Sequence, residues 1–398
     1  MAISGLAVTF PFMNLSAAFG AGVGVGSSSY LSVKLGQRDY STAQRILGNN
    51  ITLNIIIGFI FSVVSLIFLD PILYFFGASD QTIPYAREYM IIILLGNIIT
   101  HLYFGMNAVL RAASKPRQAM YTTIFTVVLN SILDPLFIYT FDMGIRGAAI
   151  ATILSQTVAL VWQIRLFSDK GELLHLKRGI YRLDNRIVKN ILGIGISPFA
   201  MNATACLVAI FVNQRLLEYG GDLAVGAFGI ANRVAFIFIM INFGVNQGMQ
   251  PIAGYNYGAQ NYDRLMRVLK LAMIAGTCIT TSGFLVAEFI PHICVRLFTS
   301  DSELTELSVN GLRIMMAAMP IVGYQMIVTN FFQSIGKAKI SIFLSLSRQL
   351  LFLVPLIGVM PLFFGVNGVW VAMPISDSFS AIFALVMMVR YMRVFKKR

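Results

Sequence analysis

An aspartate followed by a proline, four residues after an asparagine and inside a long apolar run, is the feature that promises chemistry: residues 130–135 read NSILDP. Proline carries no N–H, so a helix passing through Pro135 leaves a nearby backbone carbonyl without its donor. Asn130 and Asp134 are four apart, and residues at that spacing share a helix face. A carboxylate, an amide oxygen and a freed carbonyl together suit a small hard cation or a proton. The same residues would also serve as a polar kink satisfied by neighbouring helices. Other ionisable groups in apolar runs stand out because each costs about 2.5–3.5 kcal/mol at the centre of a membrane helix. They are Glu288, one turn before Pro291 at a helix end; Asp377, just after Pro374 and flanked by Ser376 and Ser378; and Arg348. Arg348 has either a buried carbonyl or acid as partner, or reaches back towards the helix end near Lys339.

Other chemistries find little support. Cys206, Cys278 and Cys294 lie in apolar segments without metal-ligand spacing, and His101, His175 and His292 are scattered; the cysteines read as small hydrophobes in helix packing. The run Gly20, Gly22, Gly24, Gly26 lacks the dinucleotide spacing and follows no strand. Its four-residue intervals instead let helix backbones approach closely, and they recur at Gly244 and Gly248. There is no Walker A motif. The chain therefore reads as neither a nucleotide-driven pump nor an enzyme, and needs no cofactor beyond a coupling ion.

These residues sit in a chain of 398 residues that is 57% hydrophobic and 12% charged, with mean hydropathy +0.76. Soluble domains carry roughly 25% charged residues, so a soluble enzyme and a disordered chain are excluded. The net charge of +13 sits in short basic segments between apolar runs, as membrane topology requires, and does not point to nucleic acid. The fold class is all-α and polytopic. Eleven helices are expected near 5–35, 41–68, 82–112, 117–140, 145–168, 187–217, 223–256, 263–290, 304–335, 339–361 and 367–392. The runs are too long for strands and lack alternation. A polar segment, 169–186, divides a first bundle (1–168) from a second (187–398). Most of the 30 Lys and Arg fall in the turns after Lys34, Arg111, Arg264 and Lys337, in the polar segment and in the tail from Arg390. The positive-inside rule places these, and the C-terminus, in the cytoplasm.

The two halves repeat. Gly36–Leu47 (GQRDYSTAQRIL) lies over Gly258–Leu269 (GAQNYDRLMRVL), and the same offset of 222 pairs Tyr40 with Tyr262, Arg45 with Arg267 and Lys115 with Lys337. Near 221 it pairs Gly144 with Gly365 and Gly147 with Gly368. Matched basic turns lie on one side, so the repeats are parallel. The helix near 187–217 then has no counterpart in the first half. The expectation is five helices plus six, with twelve in an intact protein whose first helix precedes Met1.

Taken in order, Gly36–Leu47, Val109–Arg117 (VLRAASKPR), Asn130–Pro135, Gly144–Thr152 (GIRGAAIAT) and Gln250–Ala259 (QPIAGYNYGA) resemble the multidrug and toxic compound extrusion (MATE) family over nearly the whole chain. The resemblance implies a V-shaped pair of six-helix bundles that expels organic cations in exchange for Na+ or H+ by alternating access. It also implies a monomer in the bacterial plasma (inner) membrane, crossing the bilayer many times. In such proteins a first-bundle cation site is formed by a first-helix Asp followed by Asn, Asp and Thr. Asn130, Asp134 and Thr152 match the last three and would hold Na+ or exchange a proton; the first-helix Asp would lie ahead of Met1. Members that use a seventh-helix acid find no match, because the segment near Asn190–Leu217 offers Met201, Asn202 and Asn213 but no acid at depth. Asn107 and Gln156 are the expected polar contacts for substrate, and the 20 Met and 31 Phe could line a cavity for apolar cations. Two alternatives stay open: a lipid-linked saccharide flippase of the same superfamily, and a truncated chain that does not transport.

Overall fold

The computed structural model describes residues 2–395; Met1 and the last basic residues of the tail, Lys396–Arg398, lie outside the described residues. All regular structure among the described residues is helical. Two compact units divide the chain, Met1–Asn202 and Ala203–Arg398.

The first unit contains α1 (Ala2–Gly36), α2 (Tyr40–Ile67), α3 (Leu69–Phe75), α4 (Ile83–Leu95), α5 (Asn97–Ala112), α6 (Pro116–Pro135) and α7 (Gly144–Ser168), followed by the opening of α8 (Asn185–Gly258). A π-helical turn, Leu136–Thr140, continues α6. The rest of α8 belongs to the second unit with α9 (Tyr262–Phe289), α10 (Pro291–Arg296), α11 (Ser302–Met316), α12 (Met319–Ser334), α13 (Ala338–Leu346), α14 (Val354–Phe364) and α15 (Val366–Phe395). A second π-helical stretch, Ser347–Leu353, links α13 to α14.

Long apolar runs form these helices, and polar residues mark their starts. Asp39 and Asn261 cap α2 and α9 by accepting from the N–H of Thr42 and Arg264, while Asp301 caps α11 through Leu304; such caps satisfy donors the helix itself cannot. Prolines sit in the first turns of α4, α6, α10, α12 and α14, where the missing N–H costs nothing. Seven helices among the described residues are long and apolar enough to cross a membrane, and two bent pairs raise the number to nine. One of the seven is α8, in which Gly221 at φ 65° separates two helices. Each of the eleven segments expected from sequence coincides with a helix, a helical run that includes a π-helical stretch, a bent pair or one part of α8.

The repeat is visible residue by residue. α2 and α9 begin at Tyr40 and Tyr262, and α5 and α12 begin at Asn97 and Met319. α5 joins α4 at a bend of 54°, and α12 joins α11 at a bend of 50°. Left-handed residues fall at matched positions too: Arg38 with Gln260, Ser114 with Gly336 and Gly144 with Gly365. Each follows or precedes a helix in the conformation that ends a helix sharply.

The glycine run does different work in the two copies. A side chain at Gly22 or Gly26 would meet the α8 backbone at Gly195 or Ile191, whereas nothing lies within 4 Å of one at Gly244 or Gly248. Close backbone approach is thus realised only in α1. The polar segment 169–186 is packed onto the first unit. Gln44 donates to the His175 carbonyl, Asn49 donates to the Arg182 carbonyl at 3.1 Å, and Lys115 pairs with Glu172 at 2.8 Å. The division between units falls beyond it, inside α8 at Asn202.

Candidate functional site

Asp134 closes the last turn of α6, with Pro135 behind it and the π-helical turn beyond. Asn130, one turn earlier, donates from Nδ2 to Asp134 Oδ1 at 3.2 Å. Both side chains are half-buried. Ser131 turns its hydroxyl back to the Val127 carbonyl at 2.9 Å and leaves the carboxylate alone. The ion pairs found among the described residues do not include Asp134, so no Lys or Arg neutralises it.

α7 starts hard against this corner. A side chain at Gly147 would strike the Phe137 carbonyl at 2.8 Å, so only glycine lets α7 lie against the π-helical turn. Arg146 then ties α7 to α4 through Glu88 at 2.8 Å. Thr152 is half-buried two turns into α7 and donates to the Ala148 carbonyl at 3.0 Å, which leaves its oxygen lone pairs free to accept or ligate. No hydrogen bond among the described residues joins Thr152 to Asn130 or Asp134. The structure thus joins Asn130 to Asp134 directly and leaves Thr152 on the adjacent helix. Among the described residues there is no group of three His, Cys, Asp or Glu that could hold a metal ion. What the structure assembles at Asp134 is a single carboxylate held by the Asn130 amide N–H, one negative charge that matches a monovalent cation or a proton better than a divalent ion.

The two expected substrate contacts differ in availability. Asn107 is buried on α5 and largely engaged: Nδ2 donates to the Ala119 carbonyl at 2.9 Å and to the Thr122 and Thr123 hydroxyls, and Oδ1 accepts from Arg111. Gln156, half-buried on α7, accepts from Thr100 Oγ1 at 2.6 Å, and its amide N–H groups remain available.

An aromatic chamber in the first unit was not specified by the sequence beyond its abundance of Phe. It has a volume of about 870 Å³ and is lined by Phe12, Phe19, Phe61, Phe76 and Phe199 among other apolar residues. Phe19 stands 4.6 Å from Phe199 and 5.4 Å from Phe61 between ring centroids. Phe12 is 5.6 Å from Phe61 and 5.9 Å from Phe76. The signal available in the sequence was the seven-residue spacing of Phe12 and Phe19, which puts both on one face of α1. Behind Phe61 lies His101, 6.4 Å away and fully buried, in a cluster where Ser16 Oγ donates to Asn97 Oδ1 at 2.6 Å.

The remaining depth charges resolve into pairs. Arg313 donates to the Glu288 carbonyl at 3.1 Å, and its Nε lies 4.0 Å from the Glu288 carboxylate. Arg348 Nε donates to Asp377 Oδ1 at 2.6 Å. The serines beside Asp377 turn elsewhere, Ser376 to the Arg348 carbonyl and Ser378 to the Pro374 carbonyl. An acid was among the partners open to Arg348 from sequence; the signal that singles out Asp377 is an isolated acid and an isolated base on consecutive membrane helices, where each is the other's cheapest partner.

The MatE family model matches residues 1–136 and 196–357. The multidrug export protein MepA of Staphylococcus haemolyticus (strain JCSC1435) is 27% identical over 383 residues, covering 96% of this chain and 84% of the relative. Among solved structures, a multidrug resistance MATE family transporter of the MOP superfamily in its outward-facing conformation aligns with TM-score 0.93 at 25% identity, over 100% of this chain and 89% of that one. The MATE multidrug transporter DinF-BH, solved in complex with a ligand, aligns with TM-score 0.90 at 34% identity, over 99% and 88%.

Proposed function

The chain belongs to the MatE family of membrane transporters and is not an enzyme; from that premise we propose that it exports drug-like organic cations in exchange for Na+ or H+. The observation that carries the coupling is the Asn130–Asp134 pair. It is a carboxylate where α6 passes through Pro135 into a π-helical turn, held by an amide at 3.2 Å and left without a basic partner. A carboxylate so placed can accept a cation without first releasing a salt bridge. We read Asn130 and Asp134 as the primary ligands and Thr152 as the third, brought in when α6 and α7 close on the ion. The aromatic chamber supports the substrate class, because ring faces attract desolvated organic cations and its volume suits a drug-sized molecule. Gln156 is the polar contact for such a substrate; Asn107 shapes the α5–α6 junction behind it. In keeping with its basic turns, the chain has its C-terminus in the cytoplasm and works as a monomer in the bacterial plasma membrane.

Exchange requires that ion and substrate each discriminate between two arrangements of the protein, not merely bind. In this reading alternating access follows from competition: the ion favours the arrangement that closes on Asp134, and substrate favours the other. The test is accumulation of a fluorescent organic cation in bacteria lacking their own exporters, under an imposed Na+ or pH gradient. Cells making the wild-type chain should accumulate less dye than control cells, and the Asp134→Asn variant should lose that difference. Gradient-driven export that survives Asp134→Asn would overturn the site. Failure of both gradients to drive export would remove the exchange mechanism. A lipid-linked saccharide substrate is disfavoured by the chamber, which offers aromatic faces where a pyrophosphate would need several guanidinium or ammonium groups.

A further inference from the structure

The second unit contains a cavity of about 290 Å³ whose lining belongs wholly to that unit, drawn from α8, α11, α12, α15 and the π-helical stretch. Its body is apolar and soft, with Phe228, Met315, Met316, Met319 and Met373 in the wall. Thioethers and an aromatic edge adapt to flat ligands of varied outline. One end is charged: Arg348 and Asp377 both line it. The two are not equally accessible, since the Arg348 side chain is 31% exposed and that of Asp377 only 11%. Arg348 uses Nε for Asp377, and its terminal guanidinium nitrogens make no hydrogen bond among the described residues. The carboxylate therefore stands behind the guanidinium and holds it, while the guanidinium presents its remaining donors. A guanidinium can bind one carboxylate along its Nε edge and a second at its terminal nitrogens. The π-helical backbone around Arg348 is itself pinned, because Ser376 donates to the Arg348 carbonyl at 2.7 Å.

We propose that this cavity is a binding site for a small organic anion, a carboxylate carried on a flat apolar body, with Arg348 as its receptor and Asp377 as the group that positions the receptor. The volume admits roughly a dozen heavy atoms, near the low end for small-molecule pockets, which excludes a phospholipid. The ligand class is opposite in charge to that proposed for the aromatic chamber, and the site lies in the other unit.

The test is equilibrium dialysis of the purified full chain in detergent, corrected with empty micelles, against three probes of one shape: 1-naphthoate, neutral 1-naphthamide and cationic 1-naphthylmethylammonium. Naphthoate should bind most tightly. The double variant Arg348→Gln/Asp377→Asn, which keeps a hydrogen-bonding pair of similar shape, should weaken naphthoate about tenfold, the worth of a charge-assisted hydrogen bond, and leave naphthamide unchanged. Asp377→Asn alone keeps the guanidinium and should hold or improve naphthoate binding. Ala209 lines the cavity, so Ala209→Phe should exclude all three probes. Preference for the cationic probe would show that Asp377 is the group being read and would overturn the proposal. So would equal binding of the three, absence of naphthoate binding, or naphthoate binding that Ala209→Phe leaves intact. Should the double variant not fold, the probe preference and Ala209→Phe decide the matter. Cation export through Asp134 is read in a separate assay, so either reading can fail alone.

Discussion

Two carboxylates at membrane depth, one in each half of a repeated chain, live in opposite electrostatic settings. Asp134 has an amide at 3.2 Å and no basic partner among the ion pairs of the described residues. Asp377 has a guanidinium at 2.6 Å. The helices that carry them each have a counterpart in the other half, though not one another: α6 with Asp134 answers to α13 (Pro116 and Ala338), and α15 with Asp377 answers to α7 (Val366 and Gly144), the spacing of the repeat. A common scaffold has thus been given one acid whose charge is unspent and one whose charge is used internally. An unpaired carboxylate can take up and release an ion at the cost of its own solvation alone, whereas a paired one must also break a salt bridge. The difference argues for ion coupling in the first unit and for a structural or receptor role in the second.

Stability should separate the two acids most sharply. Removing one partner of a buried pair costs about 3–5 kcal/mol, and partial exposure of Arg348 places its loss near the lower end. Arg348→Ala should therefore lower unfolding stability by about 3 kcal/mol in a denaturant titration of the purified protein. Asp134→Asn should change it by less than about 0.5 kcal/mol, since an amide still accepts from Asn130, while abolishing export. Equal destabilisation by both substitutions would break the contrast and make Asp134 another structural group.

The glycine run sharpens the comparison at the level of packing. Gly26 in α1 and Gly248 in α8 occupy the same repeat position, yet only the first is backed by another helix. Gly26→Leu forces a side chain into the Ile191 carbonyl and should cost roughly 1–3 kcal/mol or prevent folding, as overpacking does. Gly248→Leu should fall within about 0.5 kcal/mol of wild type. Thermal melts of the two variants in one detergent would check this, and similar losses would mean that the repeat imposes the same packing twice.

Legibility follows the range of the interaction. Hydropathy runs and proline positions are local, so the helical segments, the proline irregularity beside Asp134 and the 222-residue repeat could all be read from the chain. The Asn130–Asp134 bond spans one helical turn and was equally local. The Arg348–Asp377 pair, the five-phenylalanine chamber and the packing of 169–186 onto α2 join residues that are neighbours only after folding. Asn107 shows the converse limit: its polarity was visible, but not that Ala119, Thr122, Thr123 and Arg111 engage its N–H groups and one lone pair of its oxygen.

The smallest expected difference lies at the caps of α2 and α9, where the repeat places Asp39 opposite Asn261. Both accept the N–H of the residue three positions on, at 3.1 and 3.3 Å, but only one can titrate. Partial burial by itself would raise the Asp39 carboxyl; the hydrogen bonds from Thr42 and the ammonium of Lys34 at 3.1 Å outweigh it and hold the group down to about 2. A carboxyl lowered on folding contributes stability that is fully present above its ordinary value, 3.8, and is lost as pH falls towards 2. The first unit should therefore loosen at the start of α2 between these limits while the start of α9 does not, by less than about 1 kcal/mol, the scale of a single cap. Hydrogen exchange at Thr42 and Arg264 amides between pH 5 and pH 2.5, corrected for intrinsic rates, would read the two caps side by side. Asp39→Asn should make the first cap as insensitive to acid as the second. An acid response that persists in that variant would place its origin elsewhere, with Asp184 beside Arg45 the next carboxylate to replace.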